Sequence, residues 1–275
     1  MVADDRAADG MKDLLGLGRS LAIYYGRPWR QRALRRFYAS ELGPGDLAFD
    51  IGAHVGNRVR ALRAAGAWVV AVEPQSLFHR FLARTLPHEG VTLRRLAVGA
   101  AAGDVTLRVS RRHPTVSTAA AGWPIQVGKT AGFAHVRWDA AERVAMVTLD
   151  DLIAAHGRPR FCKIDVEGME AAVLAGLSVP IPLIAFEYIP ASLDVAEACL
   201  DRLEQLGAYD VNVIQGEATA YAWRAWLPPS EAKAALRALA SDGRSGDLYA
   251  RLQDGRGGIS STANPGLAPT STPNP

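Results

Sequence analysis

The stretch FDIGAHVG, from Phe49 to Gly56, decides the fold of this chain. A short apolar run leads into it, glycines stand at positions 52 and 56, and the basic stretch NRVR follows directly. Glycines at this spacing let a backbone turn tightly from a strand into a helix and pass close under a ligand. A tight turn that binds nothing would show the same pattern, so the surrounding sequence has to distinguish a ligand-binding loop from a turn without a ligand.

Short apolar runs alternate with helical stretches after this loop. The order is LAFDIG, NRVRALRAAG, WVVAVEP, SLFHRFLARTL, VTLRRLAVG, FCKIDVEG, MEAAVLAGL, PLIAFEYI and DVAEACLDRLEQLG. YDVNVIQG and DLYARL predict two last strands that pair antiparallel. Such alternation is typical of βαβ units around a parallel sheet, so we predict an α/β fold.

Composition divides the chain into three regions. Residues 1–42 hold two amphipathic segments, which predict an N-terminal helical extension. Residues 43–253 hold the alternating pattern and predict the main domain. Residues 254–275 are rich in Gly, Ser, Thr and Pro, which predicts a disordered tail.

Charge and cysteine content restrict the class of protein. The net charge of +3 is mild and does not predict nucleic-acid binding. Cys162 and Cys199 lack the spacing of a zinc site and suit a reducing compartment. The N-terminus carries acids where a signal peptide needs basic residues, and prolines interrupt the longest apolar stretch. We therefore expect a cytoplasmic protein without a membrane span.

One segment is strongly basic. GRPWRQRALRRFY carries five arginines and no acid between Gly26 and Tyr38. It could meet phosphates, an acidic partner or a membrane surface, or form an ordinary solvated helix face. The sequence leaves these alternatives open.

Two acidic residues accompany the glycine loop. Asp50 lies at the end of the predicted strand, where open α/β sheets bind ligands. The loop reads G-x-x-x-G without the middle glycine of a dinucleotide fingerprint, and Asp50 would repel a pyrophosphate. Glu73 ends the next strand about 20 residues on, where an acid commonly accepts hydrogen bonds from ribose hydroxyls. This indicates a nucleoside whose charged part is not phosphate, a description that S-adenosylmethionine meets.

A second acidic motif, FCKIDVEGMEAAVLAGL, spans Phe161 to Leu177. Asp165 and Glu167 follow a predicted central strand and face the same crevice as the glycine loop. Glu170 opens the next helix, where an acid complements the helix dipole.

These motifs, together with VVAVEPQSLFHRFL, LAVGAAAGDVTL, VTLDDLI and LIAFEY, occur in an order that resembles the FkbM family of S-adenosylmethionine-dependent methyltransferases. The resemblance covers roughly residues 47–188. It implies a Rossmann-like methyltransferase fold with a mostly parallel seven-stranded sheet and an antiparallel final hairpin. It also implies methyl transfer, most often to a hydroxyl oxygen of a sugar or secondary metabolite.

The resemblance assigns cofactor-binding residues by position. It places Asp50, Gly52 and Gly56 at the methionine part, Glu73 at the ribose and Gln75 at the ribose or adenine. It places Ala97 and Val98 near the adenine and Asp165 near the reacting end. Many members have Asn where this chain has His54, which we include among the residues that contact the cofactor.

A hydroxyl acceptor needs a base to take its proton. The candidates at strand ends are His54, Asp165, Glu167 and Glu187, and we take Asp165, His54 and Glu187 as the catalytic residues. We assign no metal, although Asp165, Glu167 and Glu187 could also gather around a divalent cation.

The segment 110–146 interrupts the strand–helix rhythm. It contains His113, Ser117, Trp123, His135 and Trp138, and is either a substrate lid or an ordinary β-hairpin whose aromatic residues pack on the core.

The leading hypothesis is an O-methyltransferase acting on a small molecule or glycan. The alternatives are an N-methyltransferase and a non-catalytic cofactor-binding protein that docks through residues 27–36. An NAD-dependent oxidoreductase is disfavoured by the missing glycine. The oligomeric state stays open, since the N-terminal helices could pair two subunits or cover the substrate pocket.

Overall fold

A computed structural model describes residues 2–120, 122–123 and 135–253, with side chains from residue 9 onward. The helices are α1 (Val2–Tyr25), α2 (Pro28–Glu41), α3 (Asn57–Ala64), α4 (Ser76–Thr85), α5 (Leu149–His156), α6 (Glu170–Ala175), α7 (Leu193–Leu206) and α8 (Pro229–Ala240). The strands are β1 (Leu47–Ile51), β2 (Trp68–Val72), β3 (Val91–Arg94), β4 (Ala97–Val98), β5 (Gly103–Val109), β6 (Ala140–Val147), β7 (Phe161–Ile164), β8 (Leu183–Tyr188), β9 (Tyr209–Gln215) and β10 (Gly246–Leu252). None of the described helices is both long and apolar enough to cross a membrane.

Local sequence accounts for the positions of several elements. α2 begins at Pro28, whose fixed φ suits the first turn of a helix. α5 begins with a capping box in which the side chains of Thr148 and Asp151 each bond the other's backbone N–H. All four residues of β7 are buried, as expected for a strand covered on both faces.

The main sheet has seven strands in the order β3-β2-β1-β7-β8-β10-β9. The first five strands in this order, β3, β2, β1, β7 and β8, are parallel to one another. β10 is antiparallel to both of its neighbours, β8 and β9. This confirms the predicted α/β, Rossmann-like fold with its antiparallel final hairpin. After β1 the chain continues to β2 and β3 on one side of β1, and it later crosses to β7 on the opposite side of β1. A crevice therefore opens at the carboxyl ends of β1 and β7.

The strands β4, β5 and β6 form a second sheet with the order β4-β6-β5. The predicted strand VTLRRLAVG is divided between the two sheets: Val91–Arg94 pairs with β2, and Ala97–Val98 pairs with β6. β5 and β6 are the two arms of an antiparallel hairpin. Residues 121 and 124–134 of the segment between them, and the predicted disordered tail 254–275, lie outside the described residues.

Helices cover both faces of the main sheet. On one face, α7 buries Ala196, Cys199, Leu200 and Leu203 against the core, at the spacing of one helical stripe. On the other face, α2 and α3 pack aromatic and aliphatic side chains against β1 and β2. This packing holds the carboxyl edge of the sheet in place and positions the loops that follow β1, β2 and β7.

Candidate active site

A cavity of about 890 Å³, including its mouth, lies at the carboxyl edge of the sheet. Its walls come from the loops after β1, β2 and β7, from the insertion, and from Tyr24 of α1. The structure brings most of the predicted site residues together here: Asp50, Gly52, His54, Glu73, Gln75, Ala97, Val98 and Asp165. Gly56 and Glu187 are not among the described residues that line this cavity.

Asp50 is the most unusual side chain of the cavity. It is 1% exposed, and neither carboxylate oxygen has a hydrogen-bond donor among the described residues. Burial raises the pKa of Asp50 to about 7, although Arg58 and Lys163 oppose the rise. A buried carboxylate without a donor is costly unless a cation or a donor joins it. The cavity therefore holds a place for a positively charged group.

Glu73 holds the glycine loop. Its carboxylate accepts hydrogen bonds of 2.8 Å from the backbone N–H groups of His54 and Gln75. Burial raises the pKa of Glu73 to about 7, and these two bonds limit the rise. Each oxygen keeps a further lone pair, so Glu73 can brace the loop and still accept a hydrogen bond from a ligand.

The two glycines of the loop have different surroundings. Gly52 has φ +90°, and a Cβ there would overlap the backbone oxygen of Asp165. It permits β1 and β7 to approach each other at the cavity floor. Gly56 has φ +76° and faces away from the cavity, with its Cβ position 2.7 Å from Cδ2 of Leu82. Gly56 therefore leaves room for the side chain of Leu82 from α4 against the end of the glycine loop.

His54 adopts a left-handed backbone conformation with φ +50°. Its ring lies between Tyr24 and Phe78, with ring centroids 5.1 Å and 4.0 Å away. Burial lowers the pKa of His54 to about 3. The imidazole is therefore neutral at physiological pH, and it is a weak base for a hydroxyl proton.

Three carboxylates gather where the loop after β7 meets the end of β8. Asp165, Glu167 and Glu187 each offer an oxygen within 4.8 Å of the others. Burial, followed by the charge of Asp165, raises the pKa values of Glu167 and Glu187 well above the usual range. Asp165 and Glu167 line the cavity, whereas Glu187 lies in a smaller recess beside Trp123 and Glu170. The spacing would admit a cation as well as shared protons.

Glu167 and Glu170 differ in their contacts. Glu167 has φ +52°, and its Oε2 has no partner among the described residues. Glu170 accepts 3.0 Å hydrogen bonds from the N–H groups of Val166 and Gly168. Glu170 thus braces the loop at the start of α6, and Glu167 keeps a free oxygen.

Sequence reasoning missed a network of four charged residues. Arg58 bridges Asp165 and Asp247 at 3.2 Å and 3.0 Å. Lys163, which is fully buried, bridges the same two carboxylates at 3.5 Å and 3.0 Å. Burial lowers the pKa of Lys163, but Asp165 and Asp247 outweigh this and raise it above its usual range. The sequence offered one signal for this network, since Lys163 stands inside an otherwise apolar strand. Nothing in the sequence around Asp247 on β10 indicated that it would join the network.

The insertion carries most of β6, which pairs antiparallel with β5, and its residues Pro114, Thr115 and Ser117 line the cavity. The predicted role as a substrate lid stays a prediction. Trp123 is buried and packs against the backbone at Gly168. Tyr24 of α1 completes this roof, so the N-terminal helix covers part of the cavity.

The profile of the family described as "Methyltransferase FkbM domain" matches residues 50–231, more than half of the chain. The chain belongs to the FkbM methyltransferase family. No curated protein matches its sequence closely enough to define a relative.

Solved structures with a similar arrangement are distant in sequence. An O-methyltransferase from Bacillus cereus in complex with SAH is 12% identical with a TM-score of 0.46, and the match covers 86% of this chain and 90% of that one. Magnesium protoporphyrin IX methyltransferase from Synechocystis PCC 6803 with bound SAM is 11% identical with a TM-score of 0.43, covering 86% and 84%. Precorrin-6y C5,15-methyltransferase from Geobacter metallireducens is 15% identical with a TM-score of 0.42, covering 80% and 86%.

The FkbM match contains most of the cavity but not all of it. It begins at Asp50 and ends inside α8. Tyr24 and Asp247 both lie outside it, yet one forms part of the roof and the other pairs with Arg58 and Lys163. The site is therefore assembled from the family domain and from segments on either side of it.

Proposed function

We propose that this FkbM methyltransferase uses S-adenosylmethionine to methylate a hydroxyl oxygen of a small molecule or sugar. The observation that carries the proposal is Asp50, a buried carboxylate in the cavity without a donor among the described residues. This carboxylate suits a ligand with a positively charged group at this position, whereas a dinucleotide would place its negatively charged pyrophosphate there.

The residues of the cavity fit this cofactor. Asp50 would accept hydrogen bonds from its ammonium group, and the spare lone pairs of Glu73 would accept them from ribose hydroxyls. Ala97 and Val98 offer a buried apolar wall for the adenine, and Gln75 and His54 lie beside it. When bound, S-adenosylmethionine supplies an electrophilic methyl group.

Glu167 is the base that we favour for the acceptor hydroxyl. It lines the cavity, its Oε2 is free of partners in the described part of the chain, and burial raises its pKa, which makes the ionised carboxylate a stronger base than an exposed one. The hydroxyl proton would move to Oε2 of Glu167. Asp165, held by Arg58 and Lys163, would orient the acceptor at the reacting end.

The other two predicted catalytic residues suit this role less well. The low pKa of His54 makes it a weak base, and its ring is held between aromatic neighbours. Glu187 lies in the recess beside Trp123 and is not among the described residues that line the cavity. We assign His54 to the wall of the cofactor site and Glu187 to the support of the carboxylate cluster.

The test uses a radiolabelled methyl donor and a panel of hydroxylated and amino acceptors. Glu167→Gln should lower methyl transfer at least a hundredfold, the usual contribution of a general base, and leave the affinity for S-adenosylhomocysteine unchanged. Glu204→Gln, which changes an exposed glutamate of α7, is the control and should keep the wild-type activity. A Glu167→Gln enzyme of normal rate would remove Glu167 from the mechanism, and labelling of amines alone would overturn the choice of oxygen.

A further inference from the structure

A second cavity adjoins the candidate active site. It has a volume of about 560 Å³, including its mouth, and its walls come from the N-terminal helices, the start of α3 and the final hairpin. Tyr24, Asn57 and Arg58 line both cavities, so the two spaces meet at these side chains. We call the two spaces the cofactor cavity and the second cavity.

Arg58 connects the two cavities through its ion pairs. Its guanidinium lies 3.2 Å from Asp165, which lines the cofactor cavity, and 3.0 Å from Asp247, which lines the second cavity. Lys163 pairs with the same two carboxylates. Two cations therefore balance two anions where the cavities meet.

Tyr24 lies at the same boundary. Burial, followed by the charge of Asp165, raises the pKa of its hydroxyl, and the charge of Glu217 at the second cavity adds to the rise. The hydroxyl is therefore close to the acids of both cavities. The backbone oxygen of Tyr24 accepts a 3.0 Å hydrogen bond from the side-chain amide of Gln31, which ties the end of α1 to α2.

The walls of the second cavity combine aromatic rings with polar groups. Phe37, Tyr38 and Tyr249 line it, and the rings of Phe37 and Tyr249 pack edge to face with centroids 5.4 Å apart. The hydroxyl of Tyr38 is buried and has no hydrogen-bond partner among the described residues. Aromatic side chains with a few hydrogen-bonding groups among them suit a sugar ring, which has apolar C–H faces and hydroxyl groups.

Arg30 gives the second cavity a positive charge. Its side chain is half-buried and has no ion pair among the described residues. The first turn of α2 holds no acid and has no side-chain cap, so the helix dipole adds to this charge. Glu217 is also without an ion pair in the described part of the chain, but it is exposed on the loop after β9, where solvent screens its charge. A half-buried guanidinium without a partner favours an anionic group on the ligand.

The methyl acceptor needs space beyond the cofactor cavity. In the proposed function the cofactor lies against Asp50 and Glu73, which leaves the end at Asp165 and Glu167 for the reacting groups. An acceptor larger than its reacting hydroxyl therefore needs a space that adjoins Asp165. The second cavity adjoins it through Arg58.

We propose that the second cavity binds the methyl acceptor, and that this acceptor is a sugar with a carboxylate or phosphate group that pairs with Arg30. The inference rests on the proposed function, because it requires the cofactor in the neighbouring cavity. The sugar ring lies among the aromatic side chains, and the reacting hydroxyl passes Tyr24 to reach Glu167.

The experiment measures binding of small probes to the full chain by saturation-transfer difference NMR with saturating S-adenosylhomocysteine. Glucuronate and glucose 6-phosphate carry the two anionic groups on the same ring, and glucose carries neither. At least one anionic probe should bind roughly tenfold or more tightly than glucose, because a hydrogen bond to a charged group contributes at least that factor. The tighter of the two identifies the anionic group. Arg30→Gln should remove the difference.

Matched controls lie on the same elements. Arg32→Gln changes an exposed arginine of α2 that is not among the described residues lining either cavity, and it should bind all probes as the wild type does. Thr219→Trp narrows the second cavity and should lower the affinity for the anionic probes roughly tenfold or more. Ala222→Trp places the same side chain at an exposed position of the same loop and should leave it unchanged. All four variants should keep the wild-type unfolding midpoint and the wild-type affinity for S-adenosylhomocysteine.

The outcomes separate this proposal from the proposed function. Equal binding of glucose and both anionic probes, or no binding of any probe, would overturn the proposal even if S-adenosylhomocysteine binds normally. Tighter binding of glucosamine than of either anionic probe would also overturn it, because Glu217 would then select the ligand. A protein that does not bind S-adenosylhomocysteine would refute the proposed function, and titration of the probes alone would still show whether Arg30 selects an anionic sugar.

Discussion

Burial of Asp50 predicts that cofactor affinity depends on pH. Burial raises the pKa of this carboxyl to about 7, from 3.8 in an unfolded chain. A ligand ammonium pairs with the ionised form, so binding has to release the proton wherever Asp50 is protonated. At pH 6 about one Asp50 in eleven is ionised, and at pH 8 about ten in eleven are. The dissociation constant should therefore fall about tenfold from pH 6 to pH 8, which is about 1.4 kcal/mol.

Calorimetry with S-adenosylhomocysteine measures this linkage directly. Titrations in two buffers of different ionisation enthalpy give the number of protons released, which should be about 0.9 at pH 6 and about 0.1 at pH 8. Asp50→Asn keeps the shape of the side chain without its titration. The variant should bind more weakly at pH 8 and lose most of the tenfold dependence, and the dependence that it keeps measures the titration of Glu73 and of the ligand itself.

Glu170→Gln is the control for this experiment. Burial raises the pKa of Glu170 to about 7 as well, but its carboxylate is bonded to the N–H groups of Val166 and Gly168. This variant should keep the wild-type pH dependence. A wild-type affinity that is equal at pH 6 and pH 8, or an Asp50→Asn protein that retains the tenfold change, would refute the pairing of Asp50 with a cationic ligand.

Three further predictions concern stability. Gly52→Ala should lower the free energy of unfolding by roughly 3 kcal/mol or more in urea titrations, because the added Cβ overlaps the backbone of Asp165 and the backbone at φ +90° is strained for alanine. Gly45→Ala is the control: its φ is +87° but the space around it is open, so it should cost about 1 kcal/mol. Lys163→Met should cost about 3 kcal/mol, because Asp165 and Asp247 lose the more deeply buried of their two counter-ions and keep only Arg58. Lys233→Met at a surface ion pair should cost less than about 1 kcal/mol. The free energy of unfolding of the ligand-free protein should fall as pH rises from about 4.5 to about 7, since Asp50, Glu73 and Glu170 keep their protons in the folded state up to about 7 and lose them earlier in the unfolded chain. A rise over that interval would contradict the assigned pKa shifts.

Local patterns determined much of the fold. The alternation of apolar runs and helical stretches predicted the parallel order and the antiparallel end, because period and turn residues are properties of short segments. The acids at strand ends predicted one crevice, since carboxyl ends of parallel strands share an edge. Asp50, Glu73 and Asp165 do line one cavity. Their roles toward the cofactor remain proposals.

The tertiary structure decided which side chains face which. It joined Arg58 on α3 to Asp247 on β10, placed Tyr24 over the cavity, turned Gly56 toward Leu82, and set Glu187 in a separate recess. It also left Met11, Leu14 and Leu15 of α1 exposed. These relations join residues up to 189 positions apart. Their distances depend on strand order and on the packing of helices against the sheet, and no short segment of sequence encodes either one.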